Sequence, residues 1–214
     1  MAAGGGVLKM SQIALIDRMR AARIVPVIRM QSAAHAETAV AWLRGLGIRI
    51  FEITMTIPGA VPLIERLAAD PSLLIGAGTV PDVKTARACL EAGAKFVVAP
   101  WVDATLSTVC RQAGAVLMLG ALTPTEVRAA LAAHADVVKV FPASSAGGPA
   151  HIRSLTSVFP GVAFCPTGGV DPELVSAYLA AGAAFVGMGG ALVDEKRVAA
   201  GDRTAIEAVA RGIL

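Results

Sequence analysis

Five lysines occur in the 214-residue chain, and one of them, Lys139, lies inside an apolar run, Asp136-Val-Val-Lys-Val-Phe-Pro142. Lys9 falls in the N-terminal tail, Lys84 and Lys196 in helical or loop segments, and Lys95 at the beginning of a strand. An ammonium flanked by Val138 and Val140 is stripped of water, which disfavours the charged form and frees the amine to attack a carbonyl. The competing reading is a lysine that snorkels outward to solvent, but a strand covered by helices leaves little room for that. Glu52 stands out in the same way, as a carboxylate within a strand core, Ile50-Phe-Glu-Ile-Thr54. Buried acids are costly unless paired or catalytic. A glutamate facing a lysine can shuttle protons for Schiff-base chemistry; a purely structural Glu–Lys pair is the alternative.

Arg29 ends the run Val25-Pro-Val-Ile-Arg29 and offers a bidentate fork to a carboxylate, a role that lysine fills poorly. Thr79 closes a flexible Gly76-Ala-Gly-Thr79 segment, where its hydroxyl could meet a substrate hydroxyl or carboxylate. Two glycine loops, Pro166-Thr-Gly-Gly-Val-Asp-Pro172 and Gly187-Met-Gly-Gly-Ala191, present bare backbone N–H groups beside helix starts. A lone Gly-Gly means only a tight turn. Two such loops, with Thr167 next to one, make Gly168, Gly169, Gly189 and Gly190 a candidate phosphate cradle. A strand lysine, a nearby glutamate, a carboxylate-binding arginine and a phosphate site together form the equipment of a class I aldolase, which needs no cofactor.

These side chains must be carried by elements that recur. After a loose tail over residues 1–10 and a short helix over 11–22, apolar runs at 24–28, 48–53, 73–75, 96–99, 116–119, 137–141, 162–165 and 185–188 alternate with amphipathic stretches. Ala-Gly-Ala precedes three of the runs, at 92–94, 113–115 and 181–183, as if each helix ends on a glycine cap. Pro81-Asp82, Pro124-Thr125, Pro149 and Asp171-Pro172 open amphipathic segments, where proline suits a first helical turn. Eight strand–helix units in one domain over residues 1–214 predict an α/β fold, a (β/α)8 TIM barrel. A doubly wound open sheet is the runner-up, and no G-x-G-x-x-G follows the first strand to support it. In a barrel, chemistry belongs at the C-terminal ends of the strands, where Arg29, Glu52, Thr79, Lys139 and both glycine loops fall.

Composition removes other classes. Of the residues, 55% are apolar and 16% charged, and the 22 glycines, with 43 alanines against nine aromatics, suit small-residue packing of helices on a buried sheet. Residues 174–193 carry no charge, yet four glycines crowd positions 182–190, so a helix followed by a strand is expected rather than a membrane span. Lys9, Asp17 and further charges before Val25 argue against a signal peptide, and a cytoplasmic location is expected. Cys89, Cys110 and Cys165 have no C-x-x-C spacing, and His35, His134 and His151 lie far apart, so no disulfide framework or metal site is expected. A net charge of +3 from scattered arginines gives nucleic-acid binding little support.

Seven segments resemble the 2-keto-3-deoxy-6-phosphogluconate (KDPG) aldolases in order along nearly the whole chain: Phe51-Glu-Ile-Thr-Met-Thr-Ile-Pro58, Ile75-Gly-Ala-Gly-Thr-Val80, Val97-Val-Ala-Pro100, Thr123-Pro-Thr-Glu126, Val138-Lys-Val-Phe-Pro142, Phe164-Cys-Pro-Thr-Gly-Gly-Val170 and Val186-Gly-Met-Gly-Gly-Ala-Leu-Val193. The resemblance implies cleavage of KDPG to pyruvate and glyceraldehyde 3-phosphate by a homotrimer of TIM barrels. It implies Lys139 as the Schiff-base lysine, Glu52 as the proton shuttle, and Thr79, Pro100, Phe141 and Thr167 around the pyruvyl group. Gly168, Gly169 and Gly190 are implied near the phosphate. The chain departs from the family in three places. Many members carry an arginine three residues after the catalytic glutamate, where this chain has Met55, so carboxylate binding falls to Arg29 or to backbone. The last glycine loop has Gly190 where a phosphate-contacting serine is common, and Leu119-Gly120 replaces the usual Pro-Gly. The rival activities on the same equipment are 4-hydroxy-2-oxoglutarate (KHG) and 2-keto-3-deoxy-6-phosphogalactonate cleavage. A catalytically silent oligomeric scaffold is the rival of another kind, and Lys139 and Glu52 argue against it.

Overall fold

The computed structural model describes residues 10–214. Of the tail expected over 1–10, residues 1–9 lie outside the described residues and Met10 already belongs to the first helix, α1 (Met10–Ala22). Among the described residues, eight strands follow: β1 (Ile24–Ile28), β2 (Ile50–Thr54), β3 (Leu74–Gly78), β4 (Phe96–Ala99), β5 (Val116–Ala121), β6 (Val137–Val140), β7 (Phe164–Pro166) and β8 (Val186–Met188). Neighbours pair in parallel from β1 through to β7, and β8 pairs with β1. A parallel bridge between Thr167 and Gly187 joins β7 to β8, which makes the sheet a near-closed (β/α)8 TIM barrel.

Helices α2 (Ala33–Gly45), α3 (Ala60–Ala68), α4 (Val83–Glu91), α5 (Leu106–Ala113), α6 (Pro124–Ala132), α7 (Gly148–Val158) and α8 (Val175–Ala180) each lead from one strand to the next. Helices α9 (Glu195–Ala199) and α10 (Arg203–Ile213) end the chain. The starts are fixed by side chains that accept the free N–H groups of a first turn. The Asp82 carboxylate accepts from the Thr85 N–H at 2.7 Å, and Thr123 with Glu126 forms a full capping box ahead of Pro124. The expected glycine caps are present too: Gly93, Gly114 and Gly182 all take positive φ, as does Gly47 ahead of β2, and the Gly93 N–H donates to Leu90 at 3.0 Å. Residues 174–193 resolve into the end of a 3-10 turn (Pro172–Leu174), α8, a turn and β8. Among the described residues, no helix is long and apolar enough to cross a membrane.

Alternation along each strand separates two apolar layers. One face, with Val25, Ile50, Leu74, Phe96, Val116 and Val137, fills the barrel interior, and Ile16 and Met19 of α1 close it from below. The other face, with Ile28, Phe51, Ile75, Val97, Leu117 and Val138, packs under the helices. Each large side chain so buried contributes ~1.5–3 kcal/mol. The third strand reaches three residues past the apolar run that announces it, through Gly76-Ala-Gly78, opposite Glu52–Thr54 of β2. Glycine is a poor strand former on its own, but at Gly76 the ring of Phe96 occupies the space a Cβ would need.

Candidate active site

The alternation that buries Ile50 and Val137 also aims Glu52 and Lys139 into the barrel, since each lies two residues further along the same strand face. Lys139 Nζ stands 3.4 Å from Glu52 Oε1, and both side chains are about 3% exposed. The pair spans the interior from β2 to β6. Breaking such a buried pair by removing one partner is costly, at ~3–5 kcal/mol, because a lone charge is left behind. The Phe141 ring, at the top of β6, has its centroid 5.5 Å from Lys139 Nζ. Cys165 sits opposite Lys139 on β7, and burial pushes its thiol up to about 12.

Glycines make room around the pair. A Cβ on Gly78 would collide with the Glu52 carboxylate, one on Gly120 with the Pro100 backbone, and one on Gly187 with the Thr167 hydroxyl. Small residues on the upper interior faces of β3, β5 and β8 therefore leave a space over two ionisable groups, above a floor of packed aliphatic chains.

The rim places the remaining candidates. Arg29, exposed at the end of β1, donates from Nη2 to Thr79 Oγ1 at 3.2 Å, reaching across to the end of β3. Thr79 holds φ at 55°, an uncommon backbone conformation for a β-branched residue and the kind of local strain that gathers at functional sites. Pro100 lies half-buried at the end of β4, held by its contact with Gly120 and by the Gly120 N–H donating to Trp101 at 3.2 Å. Thr167 is buried, with its N–H donating to Val140 at 2.9 Å. Gly168 and Gly169 follow with φ of 89° and 67°, a turn that only glycine makes without strain. Among the described residues, no backbone carbonyl takes up the N–H of Gly168, Gly169 or Gly190. Gly189 and Gly190 continue β8 on the far side of the Thr167–Gly187 bridge.

Lys139, Glu52, Phe141, Thr167 and the Gly168-Gly169 turn thus form one contiguous surface, and Arg29 with Thr79 forms a second cluster on the rim. Met55 is not part of either. Its sulfur lies 3.4 Å from Cys89 of α4, so the side chain packs outward against a helix. Two polar residues escape the sequence reading. Thr54 is fully buried two residues beyond Glu52, with its hydroxyl donating to Ile28 at 3.1 Å, and the alternation that selects Glu52 selects it as well. Ser144, after β6, lies against Gly169 and is signalled only by a hydroxyl-rich loop, Pro142-Ala-Ser-Ser-Ala146. Among the described residues, no group of three or more His, Cys, Asp or Glu could hold a metal ion.

A model of the KDPG and KHG aldolases matches residues 15–209, a span that contains every side chain of this site. The chain belongs to the KDPG and KHG aldolase family. This is a family of lyases that work as class I aldolases. The KDPG aldolase of Pseudomonas aeruginosa is 34% identical over 203 residues, 94% of this chain and 92% of that one. The KHG/KDPG aldolase of Escherichia coli is 31% identical over 189 residues, 88% of this chain and 89% of that one. Among solved structures, a KDPG aldolase from Legionella pneumophila holding pyruvate as a covalent carbinolamine superposes with a TM-score of 0.82 at 29% identity, covering 92% of this chain and 96% of that one. Family aldolases are thus similar to this chain over the barrel as a whole.

Proposed function

We propose that the protein is a class I aldolase that cleaves KDPG to pyruvate and glyceraldehyde 3-phosphate, with Lys139 as the Schiff-base lysine and Glu52 as its proton shuttle. The observation that carries this reading is the Lys139–Glu52 contact, a lone amine and a lone carboxylate 3.4 Å apart inside an apolar barrel. The neutral Lys139 amine adds to C2 of the substrate to give a carbinolamine, the species captured with pyruvate in the Legionella relative. Glu52 donates the proton that releases the hydroxyl as water and leaves a protonated imine. That imine withdraws electrons from the C3–C4 bond. Glu52, now a carboxylate, accepts the C4 hydroxyl proton as the bond breaks and the aldehyde departs. The electron pair remains as the enamine of pyruvate, which is protonated at C3, and water then hydrolyses the imine and restores the free lysine.

Arg29 and Thr79 are suited to hold the carboxylate next to C2, a fork and a hydroxyl already 3.2 Å apart. The phosphate falls to the N–H groups of Gly168, Gly169, Gly189 and Gly190. Pro100, Phe141 and Thr167 line the pyruvyl group. The assembly that goes with this reading is a homotrimer, and a monomer mass by light scattering refutes it. The deciding experiment is incubation with pyruvate and borohydride followed by intact-mass measurement. A reduced pyruvyl adduct that disappears in Lys139→Ala is expected; no adduct, or one that survives the substitution, refutes the imine. Relative kcat/KM for KDPG, its galactonate epimer and KHG then assigns the substrate.

A further inference from the structure

We propose that Ser144 determines specificity for the phosphorylated substrate, its hydroxyl donating to the phosphate in place of the hydroxyl that the β8 loop lacks. This rests on the reading of the site as the mouth of a KDPG-type aldolase, and it names a recognition element within it. The loops after β6, β7 and β8, residues 141–147, 167–171 and 189–194, contain no lysine, arginine or histidine. An anion bound there must be held by neutral donors, so each hydroxyl carries more weight than it would beside a cation.

The geometry places Ser144 among those donors. The Ala143 N–H donates to the Thr167 carbonyl at 2.8 Å and the Ser144 N–H to the Gly168 carbonyl at 3.1 Å, so the β6 loop is laced to the glycine turn. A Cβ on Gly168 would come within 2.9 Å of the Phe141 ring, and one on Gly169 would collide with Ser144 Oγ. Starting from Lys139, the surface therefore runs through the Phe141 ring to Gly168 and then to Ser144 over Gly169. This is the order in which the oxo carbon, the chain and the phosphate of the substrate would lie. Among the described residues no hydrogen bond engages the exposed Ser144 hydroxyl, whereas the neighbouring Ser145 hydroxyl donates to Pro142 at 3.4 Å. Ser144 is free to turn its proton toward a ligand, and Ser145 is the natural control.

The test is run in the condensation direction with the full chain, pyruvate, and either glyceraldehyde 3-phosphate or glyceraldehyde. Ser144→Ala is expected to raise KM for the phosphorylated aldehyde by roughly 10- to 100-fold, the weight of one hydrogen bond to a charged group. Its kcat and its kinetics with glyceraldehyde stay near wild type. Ser144→Thr, which keeps the hydroxyl, and Ser145→Ala both stay near wild type with either aldehyde. An unchanged KM in Ser144→Ala, or an equal change with both aldehydes, overturns the proposal. Borohydride trapping of pyruvate in the same preparations separates the two levels. Trapping that is intact without a phosphate-selective change overturns Ser144 alone, and a wild-type protein that traps no pyruvate overturns the underlying reading with it.

Discussion

Glu52 and Lys139 face each other at 3.4 Å, buried inside the barrel, so conservative changes there are informative. Glu52→Gln keeps shape and hydrogen bonding but cannot take a proton, and is expected to lower kcat by roughly 10²- to 10⁴-fold. Pyruvate should still be trapped on Lys139, only more slowly; a variant with wild-type kcat excludes Glu52 as the shuttle. Gly78→Ala works from the other side, since its methyl group would meet the Glu52 carboxylate and push it off its position. A displacement of about 1 Å in a reacting group can cost roughly 100-fold in rate. Circular dichroism should show the fold retained while kcat falls. The cysteines behave oppositely, as inert packing: burial pushes Cys89 up to about 11 and Cys110 and Cys165 up to about 12. Iodoacetamide at pH 8 should add no mass to the native protein and should label the three thiols after unfolding. At this scale the sequence is legible wherever a charge interrupts an apolar strand, as at Glu52 and Lys139. It is silent where a residue matters through its neighbours, as at Gly78, whose need for a missing side chain shows only once β3 is laid beside β2.

The first helix has a task that its sequence hides, because its apolar residues follow no clean stripe. Gln12 of α1 donates to the Ala115 carbonyl at 3.0 Å and to Asp136 Oδ2 at 3.3 Å, and the same carboxylate oxygen accepts from the Leu117 N–H at 2.8 Å. A polar knot under β5 and β6 thus holds the lid of the barrel floor. Desolvation outweighs these hydrogen bonds and raises the Asp136 carboxyl above its ordinary value of 3.8. A carboxyl with a raised folded-state value binds its proton more tightly folded than unfolded. Its contribution to stability is therefore greatest at low pH and is lost as pH rises from 3.8 through the folded value. Asp136→Asn, which can accept the same two hydrogen bonds without the charge, should exceed the wild-type Tm most at neutral pH. The difference should shrink as pH falls from neutral toward 3.8. Carboxylates with lowered values, such as Glu126 in its capping box, affect both proteins alike and cancel in that difference. A Tm difference independent of pH contradicts the assignment. The strand–helix alternation and the helix starts are readable in the sequence because caps and glycine stops are local signals. The ends of β3 and β7 are not, since they depend on pairing with a neighbour.

Closure of the barrel is uneven, and the proposed ligand site straddles its weakest line. Between β2 and β3, Ile50 through Thr54 lie opposite Leu74 through Gly78 in a full ladder. Between β7 and β8 the backbone-to-backbone join, among the described residues, is the Thr167–Gly187 bridge and the Ala184 N–H donating to the Phe164 carbonyl at 2.8 Å. Local opening follows the line with the fewest shared hydrogen bonds, so amides of residues 164–167 and 184–188 should exchange with deuterium faster than those of 50–54 and 74–78. The two halves of the glycine cradle sit on opposite banks of this seam, Gly168 and Gly169 above β7 and Gly189 and Gly190 above β8. An anion held by both banks bridges them and is bound only while the seam is closed, which stabilises the closed form by mass action. Saturating inorganic phosphate should therefore slow exchange at 164–169 and at 186–191 together, and leave β2 and β3 unchanged. Protection on one bank alone would place the anion on a single loop, and no protection on either would remove the phosphate from the seam. Gly187→Ala tests the same join without a ligand, because the added methyl group would displace the Thr167 hydroxyl. Overpacking of this kind costs ~1–3 kcal/mol, and here the loss should appear as faster exchange along β7 and β8 before any change in β2.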